Sequence, residues 1–235
     1  MKVTANYGDP VSGLIDKVLK NGFVTVKNNK ELSVEEFGSF AKSLGKPLVT
    51  ERHIIDDGRF IQQIKATELL AAGEVEWHND WSYGRGDYFW TVLYNKKNAH
   101  ITPTTFIDMK IALEELDTSD DLDGIDGYYY PPKHLHYCFT EKQLRVLTKQ
   151  NIHRPIKFTH PYTSEEVLYF SPGTLVKTSK PVNIDKLLTH CLQFKWDYNW
   201  NDNDIIIWDN IRTMHKRCEY SGNREIWRTQ FKILQ

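Results

Sequence analysis

The chain has 235 residues, a formal net charge of −1, 40% hydrophobic residues and 13% aromatic ones. That length suits one large domain, 1–235, and the apolar content suits a packed core and excludes wholesale disorder. Lys and Arg are spread along a nearly neutral chain, so the electrostatic footprint of a dedicated nucleic-acid binder is missing.

Met1-Lys2-Val3-Thr4-Ala5-Asn6 carries no signal-peptide core, and no apolar run reaches the length of a membrane span. Cys138, Cys191 and Cys218 are odd in number, widely spaced and without a CxxC, so they read as reduced thiols. The expectation is a cytoplasmic globular protein whose partner is a small molecule, with homo-oligomer formation left open.

In chain order, Val11, Leu14, Ile15, Val18 and Leu19 form a helical stripe closed by Asn21-Gly22. Phe23–Val26 reads as a buried strand. Ser33-Val34-Glu35-Glu36 fits a capping box, and Phe37, Phe40, Ala41 and Leu44 give the next helix its apolar face before Gly45 and Pro47 end it. Phe60–Ile64 suggests a strand, 66–76 is a softer stretch, and Tyr88–Tyr94 is the strongest strand pattern in the chain. Asn95–Asn98 reads as a turn, Thr104–Asp108 as a strand and Met109–Leu116 as a short helix.

Residues 117–127 read as a surface loop, and 128–147 have no dominant period. Together, 117–150 is the natural place for a loop or lid insertion. Ile152–Phe158 and Val167–Phe170 read as strands around a turn at His160–Ser164, and Ile184–Trp196 as a helix. Asp204–Asn210 and Trp227–Phe231 close the chain as strands. No repeat or linker divides it. The pattern is mainly β with helical cover, a sandwich or jelly roll with N-terminal helices buttressing it.

One stretch stands out chemically. Trp77-His78-Asn79-Asp80 places an imidazole and a carboxylate two residues apart, on one face if the backbone is extended. Alone, such a triplet arises easily by chance. Near the end of the chain, however, Trp208-Asp209-Asn210 leads across Ile211–Met214, read as a short polar turn, to His215, with Arg224 and Arg228 beyond. This is the order of a two-His-one-carboxylate facial triad followed by a carboxylate anchor.

The pattern resembles the iron(II), 2-oxoglutarate-dependent dioxygenases of the taurine dioxygenase (TauD/TfdA-like) family. The likeness runs from Gly22-Phe23-Val24 through His78-Asn79-Asp80, Thr104–Met109 and His160-Pro161 to the Trp-Asp-Asn…His…Arg block. It implies a double-stranded β-helix, or cupin-like jelly roll. It also implies Fe(II) held by His78, Asp80 and His215, with 2-oxoglutarate as cosubstrate and O2 as oxidant.

Thr104 and Arg224 match the family's residues for the distal carboxylate of 2-oxoglutarate. Arg228, four residues on, is read as sharing its strand face, so the two arginines are assigned jointly to the keto acid and Arg228 also to substrate. Trp81 and Tyr83 are candidate pocket residues, while Trp77 and Trp208 are expected beside the metal ligands. The implied reaction hydroxylates an unactivated C–H bond of a small anionic molecule, releasing succinate and CO2. Asp80 argues against halogenation, for which related enzymes replace the carboxylate with a small residue.

The chain departs from the family pattern at Gly86-Asp87-Tyr88 and Ile101-Thr102-Pro103, and in a short His215–Arg224 link. Two other readings remain open: a non-catalytic β-sandwich that binds a ligand, and a metal-dependent hydrolase on a similar barrel.

Overall fold

The computed structural model describes residues 3–50, 53–65, 73–84, 89–117, 121–131, 133, 136 and 139–233. β1 (Thr4–Asn6), α1 (Val11–Asn21), β2 (Phe23–Lys27), α2 (Val34–Leu44) and β3 (Lys46–Pro47) open the chain. β4 (Gln62–Lys65), β5 (Val75–His78), β6 (Trp90–Lys97), β7 (Thr104–Asp108) and α3 (Met109–Glu114) follow. The middle carries β8 (Asp126–Tyr129), α4 (Glu141–Gln150), β9 (His153–Pro155), β10 (Lys157–Thr159), β11 (Glu166–Leu168) and β12 (Leu175–Thr178). α5 (Ile184–Cys191), β13 (Lys195–Tyr198), β14 (Ile205–Asp209), β15 (Thr213–Arg217) and β16 (Glu225–Lys232) complete it.

Two sheets position the site. The larger runs β1-β2-β14-β6-β16-β3, with β4 also on β16, and the smaller runs β13-β7-β15-β5. Side-chain alternation explains why the run Ile205-Ile206-Ile207-Trp208 is apolar throughout. Ile205 and Ile207 pack with Val24, Val92 and Tyr94 against Leu14, Val18 and Phe37 of the two N-terminal helices. Ile206 and Trp208 face the other way and meet Phe106 of the small sheet. The small sheet is layered in the same manner: Ile107 and Met214 pack outward on Met109, Ala112, Leu187 and Cys191. His215, next to Met214 on an extended strand, therefore faces the space between the sheets.

Local chemistry supports these layers. The Ser33 hydroxyl accepts from the Glu36 N–H while Glu36 accepts from the Ser33 N–H, a reciprocal cap that stabilises α2 by about 1 kcal/mol. Gly22 ends α1 at φ 80°, a left-handed conformation, and a Cβ there would lie 3.0 Å from Thr213 Cγ2. The exit of α1 thus abuts the strand that carries His215.

Several expectations need correction. Asn95-Lys96-Lys97 is not a turn but the end of β6, because Asn95 and Lys97 pair with β16. The helix beginning at Ile184 stops at Cys191; a short 3₁₀ turn follows, and Lys195-Trp196 pair with Ile107 and Phe106 as β13. Ile152–Phe158 is split into β9 and β10, the latter paired with β11. Asp126-Gly127 belong to β8 and not to a loop, and the 128–147 stretch contains most of α4, capped by Thr140 and Gln143. Thr213 and Met214 lie in β15, so the turn before His215 is only Asn210–Arg212. The stretches 66–72, Gly86-Asp87-Tyr88 and 118–120, with His134 and Cys138, fall outside the described residues.

Candidate metal centre

His78 ends β5 and His215 lies mid-β15, and the two are direct cross-strand partners with ring centroids 4.2 Å apart. Asp80 arrives differently from the expected i, i+2 strand geometry. The strand ends at His78 and the chain turns, so Asp80 is not on it. A reciprocal pair carries it into place: the Asp80 N–H donates to Asn210 Oδ1 at 2.8 Å, and Asn210 Nδ2 donates to the Asp80 carbonyl at 2.9 Å. Asn79 Nδ2 adds donations to the carbonyls of Asn210 and Thr213.

The result is a tight donor set. Asp80 Oδ1 lies 3.5 Å from His78 Nε2 and 3.9 Å from His215 Nε2, with one ligand atom of each residue within 4.8 Å of the others. Ligand bonds of about 2.1 Å at right angles place donors about 3 Å apart, so this set suits one common ion. His78 Nδ1 sits 2.6 Å from the Glu76 carbonyl, an acceptor, so Nδ1 carries the proton and Nε2 keeps its lone pair for the site. Burial, reinforced by the His78 ring, pushes the His215 imidazole down to about 3, so it is neutral at physiological pH, as a ligand must be. Two imidazoles and one carboxylate converging from one side fit a divalent iron with open positions.

The two oxygens of Asp80 have separate surroundings. Oδ2 accepts from Gln230 Nε2 at 3.0 Å and Thr91 Oγ1 at 3.3 Å. Oδ1 faces the imidazoles and Arg228, whose Nη1 is 3.6 Å away. Burial alone would raise the Asp80 carboxyl; the Arg228 charge, with the two His, outweighs it and holds the group well below the usual carboxylate range. Arg228 is itself fixed by Gln62 Oε1, which accepts from its Nε at 3.0 Å and its Nη2 at 2.7 Å across the β4–β16 pair.

Behind the centre, the Trp208 ring packs on His215 at 5.0 Å and Phe106 does so at 5.9 Å. Trp77 instead belongs to the outer core with Ile107 and Met214. Asp209 shapes the turn: its Oδ1 accepts from the Ile211 and Arg212 N–H groups, and its Oδ2 accepts from Trp90 Nε1 and lies 2.8 Å from His160 Nε2. Asp108 caps α3 and pairs with Arg212.

Arg224 and Arg228 are not equivalent. Arg224 immediately precedes β16 and Arg228 lies within it; the register of β16 on β4 runs unbroken from Glu225 to Arg228, and the shift on β6 leaves Lys96 as the extra residue of β6. Arg228 joins the metal cluster. Arg224 is 3% exposed, with its guanidinium 5.5 Å from the Tyr220 ring. Burial and the nearby Arg217 charge pull Arg224 down to about 10, so it stays cationic at neutral pH. Thr104 lies on the inner face of β7, its Oγ1 accepting from Trp200 Nε1 at 3.1 Å.

Trp81, at φ 53° and 44% exposed, meets Tyr83 at 5.7 Å, and Tyr83 meets Phe139 at 6.0 Å. Sequence reasoning passed over Gln62, Thr91 and Gln230. Gln230 was within reach, since it alternates with Arg228 along β16; Gln62 and Thr91 needed the register.

Two sheets with helical cover, and between them a His-Asp-His cluster that could hold a metal ion with an arginine at its edge, define a class of mostly β proteins with a candidate metal centre. Sequence comparison is more specific: residues 3–230 match the model of the taurine catabolism dioxygenase TauD, TfdA family, and the chain belongs to that family. An alpha-ketoglutarate-dependent 2,4-dichlorophenoxyacetate dioxygenase of Cupriavidus pinatubonensis (strain JMP 134 / LMG 1197) is 25% identical over 192 residues, covering 73% of this chain. A like-named enzyme of Burkholderia sp. (strain RASC) is 25% identical over 175 residues, covering 65% of this chain. The chain spans 65% and 56% of the length of these two curated relatives. The fold is shared with a taurine dioxygenase structure from Burkholderia xenovorans, at a TM-score of 0.76 and 20% identity over 98% of this chain and 86% of that one. It is shared too with AAD-2 in complex with Mn(II) and N-oxalylglycine, at a TM-score of 0.75 and 18% identity over 96% of this chain and 88% of that one. No helix among the described residues is long and apolar enough to cross a membrane.

Proposed function

We propose that this protein is an Fe(II)- and 2-oxoglutarate-dependent dioxygenase that hydroxylates a small anionic molecule. The observation that carries the reading is the convergence of His78 Nε2, Asp80 Oδ1 and His215 Nε2 beside Arg228. Family membership and the alpha-ketoglutarate-dependent relatives support it. When bound, iron and 2-oxoglutarate supply, with O2, the oxidising power to break an unactivated C–H bond, yielding succinate and CO2.

The chain's own residues hold and orient. His78, Asp80 and His215 would hold the metal from one side, leaving the opposite side for exogenous ligands. Gln230 and Thr91 keep Asp80 Oδ2 occupied so that Oδ1 faces the metal. Thr104 and Arg224 receive the distal carboxylate of the keto acid, because a fork of N–H donors matches a carboxylate in two bonds. Arg228, immobilised by Gln62, offers its charge at the metal's edge to substrate or to the keto acid. Trp208 and Phe106 keep water from the His215 side. A metal hydrolase would need a general base at that edge; Arg228 stands there instead.

The same reading takes the paired sheets as a double-stranded β-helix and 1–235 as one domain, supported by the packing of both sheets through Phe106, Ile206 and Trp208. It takes 117–150 as the pocket cover, with Trp81 and Tyr83 lining the mouth, since Phe139 meets Tyr83 just beyond Asp80. Free Cys191 and Cys218 support a cytoplasmic location.

Anaerobic titration with Fe(II) and 2-oxoglutarate tests the activity. A weak visible charge-transfer band is expected in the wild type and not in Asp80→Ala or His215→Ala; its absence from the wild type would refute the reading.

A further inference from the structure

We propose that Arg154 is a positioning residue for the substrate pocket: its guanidinium pins the turn that follows Asp80 and so sets where Trp81 and Tyr83 stand at the mouth. This rests on the dioxygenase reading and extends it to a residue of a different sheet.

Strand register places Arg154. β12, β8 and β9 form a separate three-stranded sheet, in which Arg154 lies opposite Gly127. Its neighbours His153 and Pro155 are exposed, whereas Arg154 is 8% exposed, so its side chain takes the inner face. Direct antiparallel partners share a face, and Gly127 leaves that face open beside Arg154. A Cβ on Gly127 would lie 2.6 Å from the Tyr129 hydroxyl, which donates to the Tyr169 carbonyl at 3.1 Å. The Tyr169 ring in turn lies 5.6 Å from the Arg154 guanidinium carbon.

From there the guanidinium reaches out of its own sheet. Nη1 donates to the Ser82 carbonyl and Nη2 to the Gly84 carbonyl, the latter at 2.9 Å. One rigid planar fork thus holds two acceptors of a single turn, a geometry that a lysine ammonium does not reproduce. Within the turn, the Ser82 N–H donates to the Asn79 carbonyl and the Gly84 N–H to the Trp81 carbonyl. Between them Trp81 takes φ 53°, in the left-handed region that a side chain with a Cβ disfavours. Such a conformation persists where its surroundings over-determine it. The Ser82 hydroxyl, 2.6 Å from Thr174 Oγ1, secures the start of the turn, and Arg154 secures its end.

Metal ligand and pocket mouth therefore have separate supports. Asp80 is held by Asn210 and Gln230, and the residues after it by Arg154. α4, which leads into β9, has no fully buried residue, so the two bonds from Arg154 tether the proposed cover to the turn. Tyr83 packs on the Tyr129 and Tyr169 cluster and meets Phe139 at 6.0 Å, on the same side of the turn.

Arg154→Lys, which keeps the charge and removes the fork, tests this in protein loaded with Zn(II), a diamagnetic stand-in. Hydrogen exchange at the Ser82 and Gly84 N–H groups is expected to quicken about tenfold or more. With 3-fluorotyrosine incorporated, the Tyr83 fluorine signal should move while those of Tyr94 and Tyr198 stay, and Zn(II) and 2-oxoglutarate affinities should be unchanged. Unaltered exchange, an unmoved Tyr83 signal or an equal loss of Zn(II) affinity would overturn the proposal. A measurement on the unmutated protein removes any dependence on the variant's folding. The Arg154 Nη protons, recognised by cross-peaks to the Tyr169 ring, should give separate signals because the fork cannot rotate; a single averaged signal would overturn the proposal. Failure of the wild type to bind 2-oxoglutarate with Zn(II) in place would overturn the dioxygenase reading, and with it the pocket that Arg154 shapes.

Discussion

Asp80 and Asn210, 130 positions apart in the chain, hold each other by two reciprocal hydrogen bonds of 2.8 and 2.9 Å. The pair joins the turn after β5 to the turn before β15, so the two halves of the metal centre are registered by a side chain that touches no metal. Asn210→Ala should cost about 2–3 kcal/mol by leaving the buried Asp80 N–H and carbonyl without partners. It should also weaken Mn(II) binding about tenfold to a hundredfold. Chemical denaturation and metal titration read the two effects; a stability loss with unaltered metal affinity would deny the registering role.

Gln230 acts on the same carboxylate from β16. Gln230→Leu removes the stronger of the two donors to Asp80 Oδ2 while keeping the side-chain bulk. The expected outcome is Mn(II) affinity lower by about tenfold with only a small change in thermal stability, because the loss concerns the carboxylate's orientation. Equal metal affinity in mutant and wild type would show that Thr91 suffices.

Metal loading should stabilise the fold. Without an ion, Asp80 Oδ1 faces Arg228 and the His78 and His215 rings, of which burial keeps the His215 imidazole neutral. A metal at 100 times its dissociation constant adds about 2.7 kcal/mol, or about 5–10 °C in Tm for a chain of this size. Differential scanning with Mn(II), a redox-silent stand-in for iron, should give this shift in the wild type and none in His78→Ala. A shift of equal size in the variant would place the ion elsewhere.

Asp209 is the structural counterpart of Asp80. It is 1% exposed, and its oxygens face Trp90, His160 and two backbone N–H groups. Asp209→Asn sets an NH2 group against one of these donors and should cost about 3 kcal/mol, lowering Tm by about 6–12 °C. Retention of wild-type Tm would mean that the turn before His215 is held by Asn210 and Thr213 alone.

Free thiols give a check on packing. Burial pushes the Cys191 thiol up to about 12, whereas Cys218 is exposed. At pH 8 a thiol-specific reagent followed by peptide mapping should modify Cys218 in the native protein and reach Cys191 only after unfolding. Rapid native labelling of Cys191 would contradict the layer formed by α3, α5 and the small sheet.

Much of this was legible in the residues themselves. The helical stripes, the Ser33 cap and the doubly apolar run Ile205–Trp208 are local patterns, each set by a period or a cap within a few positions. The His78-Asp80 and His215 ligand types could be read in the same way, because metal chemistry restricts which side chains suffice. The chain alone could not reveal that Asp80 leaves the strand, that Gln62 meets Arg228 across β4 and β16, or that Thr91 meets Asp80. Those depend on strand register, where a one-residue shift turns every side chain to the other face, and register is decided by packing between segments far apart in sequence. The sequence by itself determined which chemistry the centre could support; tertiary structure decided which oxygen, which nitrogen and which arginine would serve it.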